Sequence, residues 1–147
     1  MKEVAILLLI ALMLNGCSST TNVANTTASG SWQAQLSGGT GPDASGFSFI
    51  TGFNISGSGG LSVTYFQFLN TEACFVLGES EGGTLVVTTN SSGVVTGTLA
   101  FTVRSGTPAG NTLTLNGTES GTTITGTWQV AGSSDCTAAG TFTMMQS

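Results

Sequence analysis

From Gly30 onward, apolar and polar side chains alternate with a period of two, broken at intervals by clusters of Gly, Ser, Asn and Thr. That period marks strands with one buried face and one wet face. Trp32, Ala34 and Leu36 share a face opposite Ser31, Gln33 and Gln35; Phe47, Phe49, Phe53 and Ile55 form a second set; Ile124, Gly126, Trp128 and Val130 form a third. The pattern predicts eight strands, at 30–36, 46–55, 60–69, 83–90, 94–103, 111–117, 121–130 and 138–146. The third is irregular: Tyr65, Phe66 and Phe68 put bulk on both faces, as a bulge or a second packing surface would. No long helical period follows, so the expected fold class is all-β: a single small antiparallel meander of about eight strands, closed as an up-and-down barrel or left as a rolled sheet.

A short pattern, Gly-Ser/Thr-large apolar, recurs at Gly30-Ser31-Trp32, Gly83-Thr84-Leu85, Gly97-Thr98-Leu99, Gly126-Thr127-Trp128 and Gly140-Thr141-Phe142. Glycine weakens a strand. Beside large inward residues, however, it lets a sheet bend tightly around a tapering interior. The connections fall into two sets. Those after strands 2, 4 and 6 are compact (Ser56–Gly59, Asn90–Gly93, Gly117–Ser120), and those after strands 1, 3, 5 and 7 are longer (37–45, 70–82, 104–110, 131–137). Alternate connections of a meander share an end, so one end is tightly closed and the other is a loop-rich mouth. The chain enters strand 1 at the closed end. Asp43, Glu72, Glu79, Glu81, Arg104 and Asp135 are all assigned to the mouth, with Glu119 left in a turn at the other end.

Ahead of the domain, Val4 to Leu14 are eleven uninterrupted apolar residues after Lys2. This is the length of an export signal's apolar stretch and about half that of a membrane span. The run closes on Leu14-Asn15-Gly16-Cys17, which resembles the lipobox of bacterial lipoproteins. The resemblance implies cleavage between Gly16 and Cys17 by a type II signal peptidase. It also implies a diacylglyceryl thioether on the Cys17 thiol and acylation of the new amine. Ser18, where an aspartate is absent, implies sorting to the outer membrane of a Gram-negative cell envelope. Asn15 and the Lys2–Glu3 pair depart from the commonest form of the motif. The domain plan is therefore signal peptide 1–16, lipidated cysteine and flexible linker 17–29, and β-barrel-like domain 30–147. The polar linker reaches about 40 Å when extended. Within the domain, the Gly-x-Trp and Gly-Thr-Trp triplets are weakly similar to the strand starts of calycin-like (lipocalin and avidin-like) barrels, with no ligand-binding residue attached to the likeness.

With Cys17 lipidated, Cys74 and Cys136 remain. In an oxidising compartment two such thiols pair, and both fall at the mouth. No histidine, Cys-x-x-Cys or basic neighbour points to a reactive or metal-binding thiol pair.

Charge narrows the function classes. The net charge is −5, charged residues make up only 6% of the chain, and Arg104 is the only base after Cys17. Nucleic acid and anionic lipid surfaces are excluded as partners, since both need clustered cations; contact with the membrane runs through the lipid on Cys17. The absence of histidine, and of lysine after the signal, removes the usual general bases and serine activators. No catalytic residue and no cofactor is assigned. The expected function is a non-catalytic, membrane-anchored envelope lipoprotein acting as a structural or interaction module, its protein or glycan partner open. The alternative is a barrel binding a small apolar ligand or lipid, with Trp32, Tyr65 and Trp128 as candidate ligand-facing residues. A carboxylate-based hydrolase using Glu79 and Glu81 ranks third, and a weak Ca²⁺ site at Glu79, Glu81 and Asp135 is the one metal reading.

Overall fold

A computed structural model describes residues 28–40, 47–70, 73–75, 79–89, 95–105, 110–132 and 136–147. The signal peptide, Gly16, Cys17 and the linker up to residue 27 lie outside these residues, as do Asp43, Glu72, Asp135 and the turn Asn90–Gly93. The eight strands are β1 (Gly30–Thr40), β2 (Ser48–Ile55), β3 (Gly60–Asn70), β4 (Glu79–Thr89), β5 (Val95–Ser105), β6 (Thr112–Ser120), β7 (Thr123–Ala131) and β8 (Ala138–Gln146). They form a closed antiparallel barrel in chain order, with β8 returning to β1. Of the two expected architectures the barrel is the one adopted, and a 3-10 turn at Ala73–Phe75 lies in the β3–β4 connection.

Alternation decides which face is buried. Trp32, Ala34, Leu36, Phe49, Phe53, Leu85, Leu99, Phe101, Val103, Leu113, Leu115, Ile124, Trp128, Phe142 and Met144 all point inward and are sealed from solvent. Rings from strands that are not neighbours meet across the lumen. Phe49 of β2 stacks on Phe101 of β5 at 6.0 Å between centroids, and Phe47 meets Trp128 of β7 edge-on at 5.7 Å. The outer wall is polar without being charged: Thr98, Thr118, Thr125 and Thr143 stand in register across β5, β6, β7 and β8, all exposed. Cross-strand threonine pairs suit a half-wet pleat.

Glycines stand where strands approach each other closely. Gly117 and Gly126 face each other across β6 and β7. A Cβ on Gly117 would stand 2.7 Å from Phe142 Cζ, and one on Gly126 would collide with the Asn116 carbonyl oxygen. The two backbones are pressed together under a ring that fills the space.

This corrects one turn. Gly117–Ser120 is strand, not loop, because Gly117 supplies close approach rather than a bend. The β6–β7 turn falls instead on Gly121 and Thr122, with Gly121 at φ +63°. Glu119 consequently leaves the surface and enters the barrel wall. The start of β4 is corrected likewise: Glu79 to Gly82 belong to the strand, paired with Thr102–Ser105 of β5.

The irregularity in β3 is a bulge. Gly52 pairs with Tyr65 and Phe53 with Val63, so Thr64 is the extra residue. The bulge turns Tyr65 outward while returning Phe66 and Phe68 to the inner side.

The two ends differ as the connections predict. At the closed end Ala28 is buried, and its carbonyl accepts a hydrogen bond from Trp32 Nε1 at 2.9 Å. The last strand finishes there too, with Gln146 N donating to Thr122 O and Ser147 N to Ser31 O. At the mouth, Cys74 and Cys136 form a disulfide with their Cα atoms 5.7 Å apart.

Candidate functional site

The mouth gathers the features with chemical potential, and the connection between β3 and β4 organises it. That connection does not make a tight hairpin. Its described part, Ala73–Phe75, is drawn across the mouth and fixed to the far wall. Cys74 is bonded to Cys136, Asn111 Nδ2 donates to the Cys74 carbonyl at 2.8 Å, and Phe75 packs on Phe47 and Phe68 with centroids 5.8 and 5.2 Å away. Asn111 is itself buried, and Gly132 leaves the room its side chain takes. Sequence reasoning missed Asn111; an asparagine between a glycine and a strand start carries no distinctive pattern.

Among the described residues β3 and β4 are joined at the closed end, through Gly60–Thr84 and Leu61–Gly83, with Leu85 N donating to Gly59 O at 2.8 Å. β4 and β5, by contrast, stay paired from Glu79–Ser105 to Thr89–Val95. At Gly83 the chain is pressed so close to β5 that a Cβ would collide with the Ala100 carbonyl. β4 thus follows β5, and its described residues Glu79–Gly82 make no ladder with β3. The inner side of β3 is aromatic, with Phe66 reaching Phe49 at 4.9 Å and Phe101 at 6.3 Å, and Phe68 set edge-on to Phe66 at 4.9 Å. Phe66 and Phe68 are partly exposed, and Tyr65 and Leu69 on the outer side are 42% and 52% exposed.

Glu79 is exposed and Glu81 half-buried, on the same face of β4 as Leu85 and Val87. Burial pushes the Glu81 carboxyl above the usual range; a backbone hydrogen bond opposes the rise and the neighbouring Glu79 charge adds to it. Arg104 stands on the outer face opposite Ser80, one residue out of phase with both acids. The two carboxylates project side by side from one strand rather than from opposite walls of a cleft, and among the described residues no three His, Cys, Asp or Glu side chains gather as metal ligands.

No family model, curated protein or solved structure matches this chain.

The aromatic residues singled out as ligand-facing are scattered. Trp32 is buried near the closed end, stacked on Phe53 at 5.8 Å. Trp128 is buried near the mouth against Phe47. Tyr65 lies outside the lumen, its ring over Gly52, where a Cβ would strike it. Two surface depressions, of about 400 and 290 Å³, lie over the polar outer wall of β6, β7 and β8 around Gln129, Thr114 and Ala139. Glu119 is the remaining functional-type group. It is 2% exposed, faces Gly97 across β5, and its Oε2 has no hydrogen-bond partner.

Proposed function

We propose that this chain is a non-catalytic lipoprotein module of the cell envelope, held to the outer membrane by lipid on Cys17, whose barrel engages another macromolecule through its exterior. The observation that carries the reading is the packed lumen. Phe49 with Phe101, and Phe47 with Trp128, meet at ring-contact distance across it, which favours the exterior over the interior as the surface for recognition. Recognition is then left to the wall and the mouth. The tether fits this arrangement: Ala28 and Ser29 sit at the closed end, so a lipid at Cys17 draws that end toward the membrane and leaves the mouth facing away. Two or three acyl chains, at about 0.8 kcal/mol per buried methylene, anchor such a domain durably.

Metabolic labelling with an alkyne fatty acid tests the anchor. The wild-type chain is expected to take up label and partition with membranes. Cys17→Ala is expected to lose both properties while keeping a folded, disulfide-bonded barrel. A wild-type protein recovered unlabelled in the soluble fraction refutes the reading.

A further inference from the structure

The β6–β7 and β7–β8 ladders run unbroken, from Thr112–Ala131 to Ser120–Thr123 and from Thr123–Met145 to Val130–Ala138. Backbone groups there are spent on the sheet, so this wall recognises a partner through its side chains. On β6, β7 and β8 the one ionisable residue is Glu119, which is buried, and the one large apolar side chain left exposed is Met145. The wall is polar without being charged. Within it lies the depression of about 290 Å³. Thr114 is paired with Gln129 and Asn116 with Thr127, and all four line it. Partners across a ladder stand about 5 Å apart, and alternate residues along a strand about 7 Å. Two hydroxyls and two amides thus mark the corners of a rectangle the size of one sugar ring. Room is left because β8 brings only Ala139 and Gly140 to the same place. Elsewhere on the exterior polar heads are committed: Thr88 and Thr96 bond to each other at 3.2 Å, and Thr141 donates to the Ser37 carbonyl at 3.4 Å. The four corner side chains have no hydrogen-bond partner among the described residues. The second depression, of about 400 Å³, adjoins the first at Gln129 and Ala139 and continues past Ala131 toward the mouth, making a trough longer than one ring.

We propose that this trough binds a neutral oligosaccharide. An apolar ligand would bury four polar heads without partners, which is costly. A cation meets no carboxylate among the described lining residues. An anion meets a chain of net charge −5 whose only base after Cys17, Arg104, stands on β5, two strands from Ala131. A neutral sugar avoids all three penalties. Each of its hydroxyls both donates and accepts, as a threonine does, and an amide offers both functions too; its C–H face rests on the Ala139 methyl. This inference rests on the reading above, that recognition is exterior, and supplies the partner's chemical class and its place on the wall.

The test uses the full lipidated chain, labelled with 15N and held in a polyoxyethylene detergent, which carries no sugar headgroup. Neutral tetrasaccharides of β-1,4-glucose, β-1,3-glucose, α-1,4-glucose and β-1,4-N-acetylglucosamine are titrated separately, so that the arms identify the source of the sugar. Two charged probes of equal length accompany them, deacetylated glucosamine and galacturonate. At least one neutral probe is expected to bind saturably, with amide shifts centred on Thr114–Asn116, Thr127–Gln129 and Ala139–Gly140. Ala139→Trp fills the depression without removing a polar head and should weaken binding at least tenfold. Gln35→Trp, an equally bulky change at an exposed position on β1, should leave it intact. Asn116→Ala with Gln129→Ala should also weaken it at least tenfold. The spectrum of each variant shows whether the barrel is folded, and the shift map of the unmutated chain decides the site without any variant. Failure of every neutral probe to saturate overturns the proposal. So do shifts centred elsewhere, undiminished binding by folded Ala139→Trp, or equal affinity for either charged probe, which would mean charge adsorption. If sugar binding fails while Cys17 still takes fatty-acid label, the trough is rejected and the anchored module stands; if the label fails, that reading falls on its own.

Discussion

Glu119 is the place where the barrel's chemistry and its stability are in open conflict. Its carboxyl is sealed in the wall between β5 and β7, opposite Gly97, with Leu85 beside it. One oxygen is unpartnered. Among the described residues the other ionisable side chains of β3, β4 and β5 are Tyr65, Glu79, Glu81 and Arg104; Tyr65 is outside the barrel and the rest are at the mouth, while β6, β7 and β8 contribute none beyond Glu119 itself. Burial therefore acts unopposed and raises its pKa. A group whose folded pKa lies above its unfolded value contributes most below the unfolded value, near pH 4.3 for a free glutamate. As pH rises beyond that point the unfolded chain releases its proton while the folded one holds it, and stability falls until the folded carboxyl ionises as well. Glu119→Gln keeps size and shape and removes the titration. A buried polar group without a partner costs about 1–3 kcal/mol, and more when charged. The variant is accordingly expected to exceed wild type by roughly 1 kcal/mol or more at pH 7.5, and to show no advantage at pH 4. Urea titrations at pH 4, 5.5 and 7.5 in a Cys17→Ala background, followed by near-ultraviolet circular dichroism of Trp32 and Trp128, give the difference directly. Ionisations common to both proteins cancel. If the two stability profiles run parallel, or wild type gains on the variant as pH rises, the account of Glu119 is wrong.

Three further outcomes follow from the packing. Gly97→Ala places a methyl against Glu119 Cβ at 2.9 Å and should destabilise the barrel by about 1–3 kcal/mol, an effect partly relieved by Glu119→Ala in a double-mutant cycle. Phe49→Ala opens a hole where Phe66, Phe68 and Phe101 converge, and should cost about 3–5 kcal/mol by chemical denaturation. Reducing Cys74–Cys136, which spans 62 residues, should remove up to about 4 kcal/mol and speed amide exchange at Ala73–Phe75 before it affects β5 to β8.

The fold was legible because period two survives in nearly every strand. The paired cysteines were legible by elimination and by which connections share an end. The positions of Glu79, Glu81 and Glu119 were not. Each acid stands beside glycine, serine or threonine, and in sequence that reads as loop. In the structure the glycines are there for contact: Gly83 against β5, Gly97 against Glu119, Gly117 under Phe142. A glycine that makes room and a glycine that makes a bend look alike until the neighbouring strand is known. Tyr65, a candidate ligand-facing residue of the alternative reading, stands on the outer wall, where the bulge at Thr64 sets it against Gly52.

The short ladder between β3 and β4 escaped notice for a different cause: it is a property of a connection rather than of a strand. β3 and β4 are adjacent in sequence, and adjacent antiparallel strands are expected to pair along their length. Among the described residues they share two pairs, Gly60–Thr84 and Leu61–Gly83. The described part of the segment between them is committed elsewhere: Cys74 is covalently held beside β8, Asn111 grips its carbonyl from the start of β6, and Phe75 is buried against Phe47. β4 is held in turn by its unbroken ladder to β5. One covalent bond and one continuous ladder thus tie this part of the chain to strands other than β3, and neither partner is marked in the sequence of β3 itself.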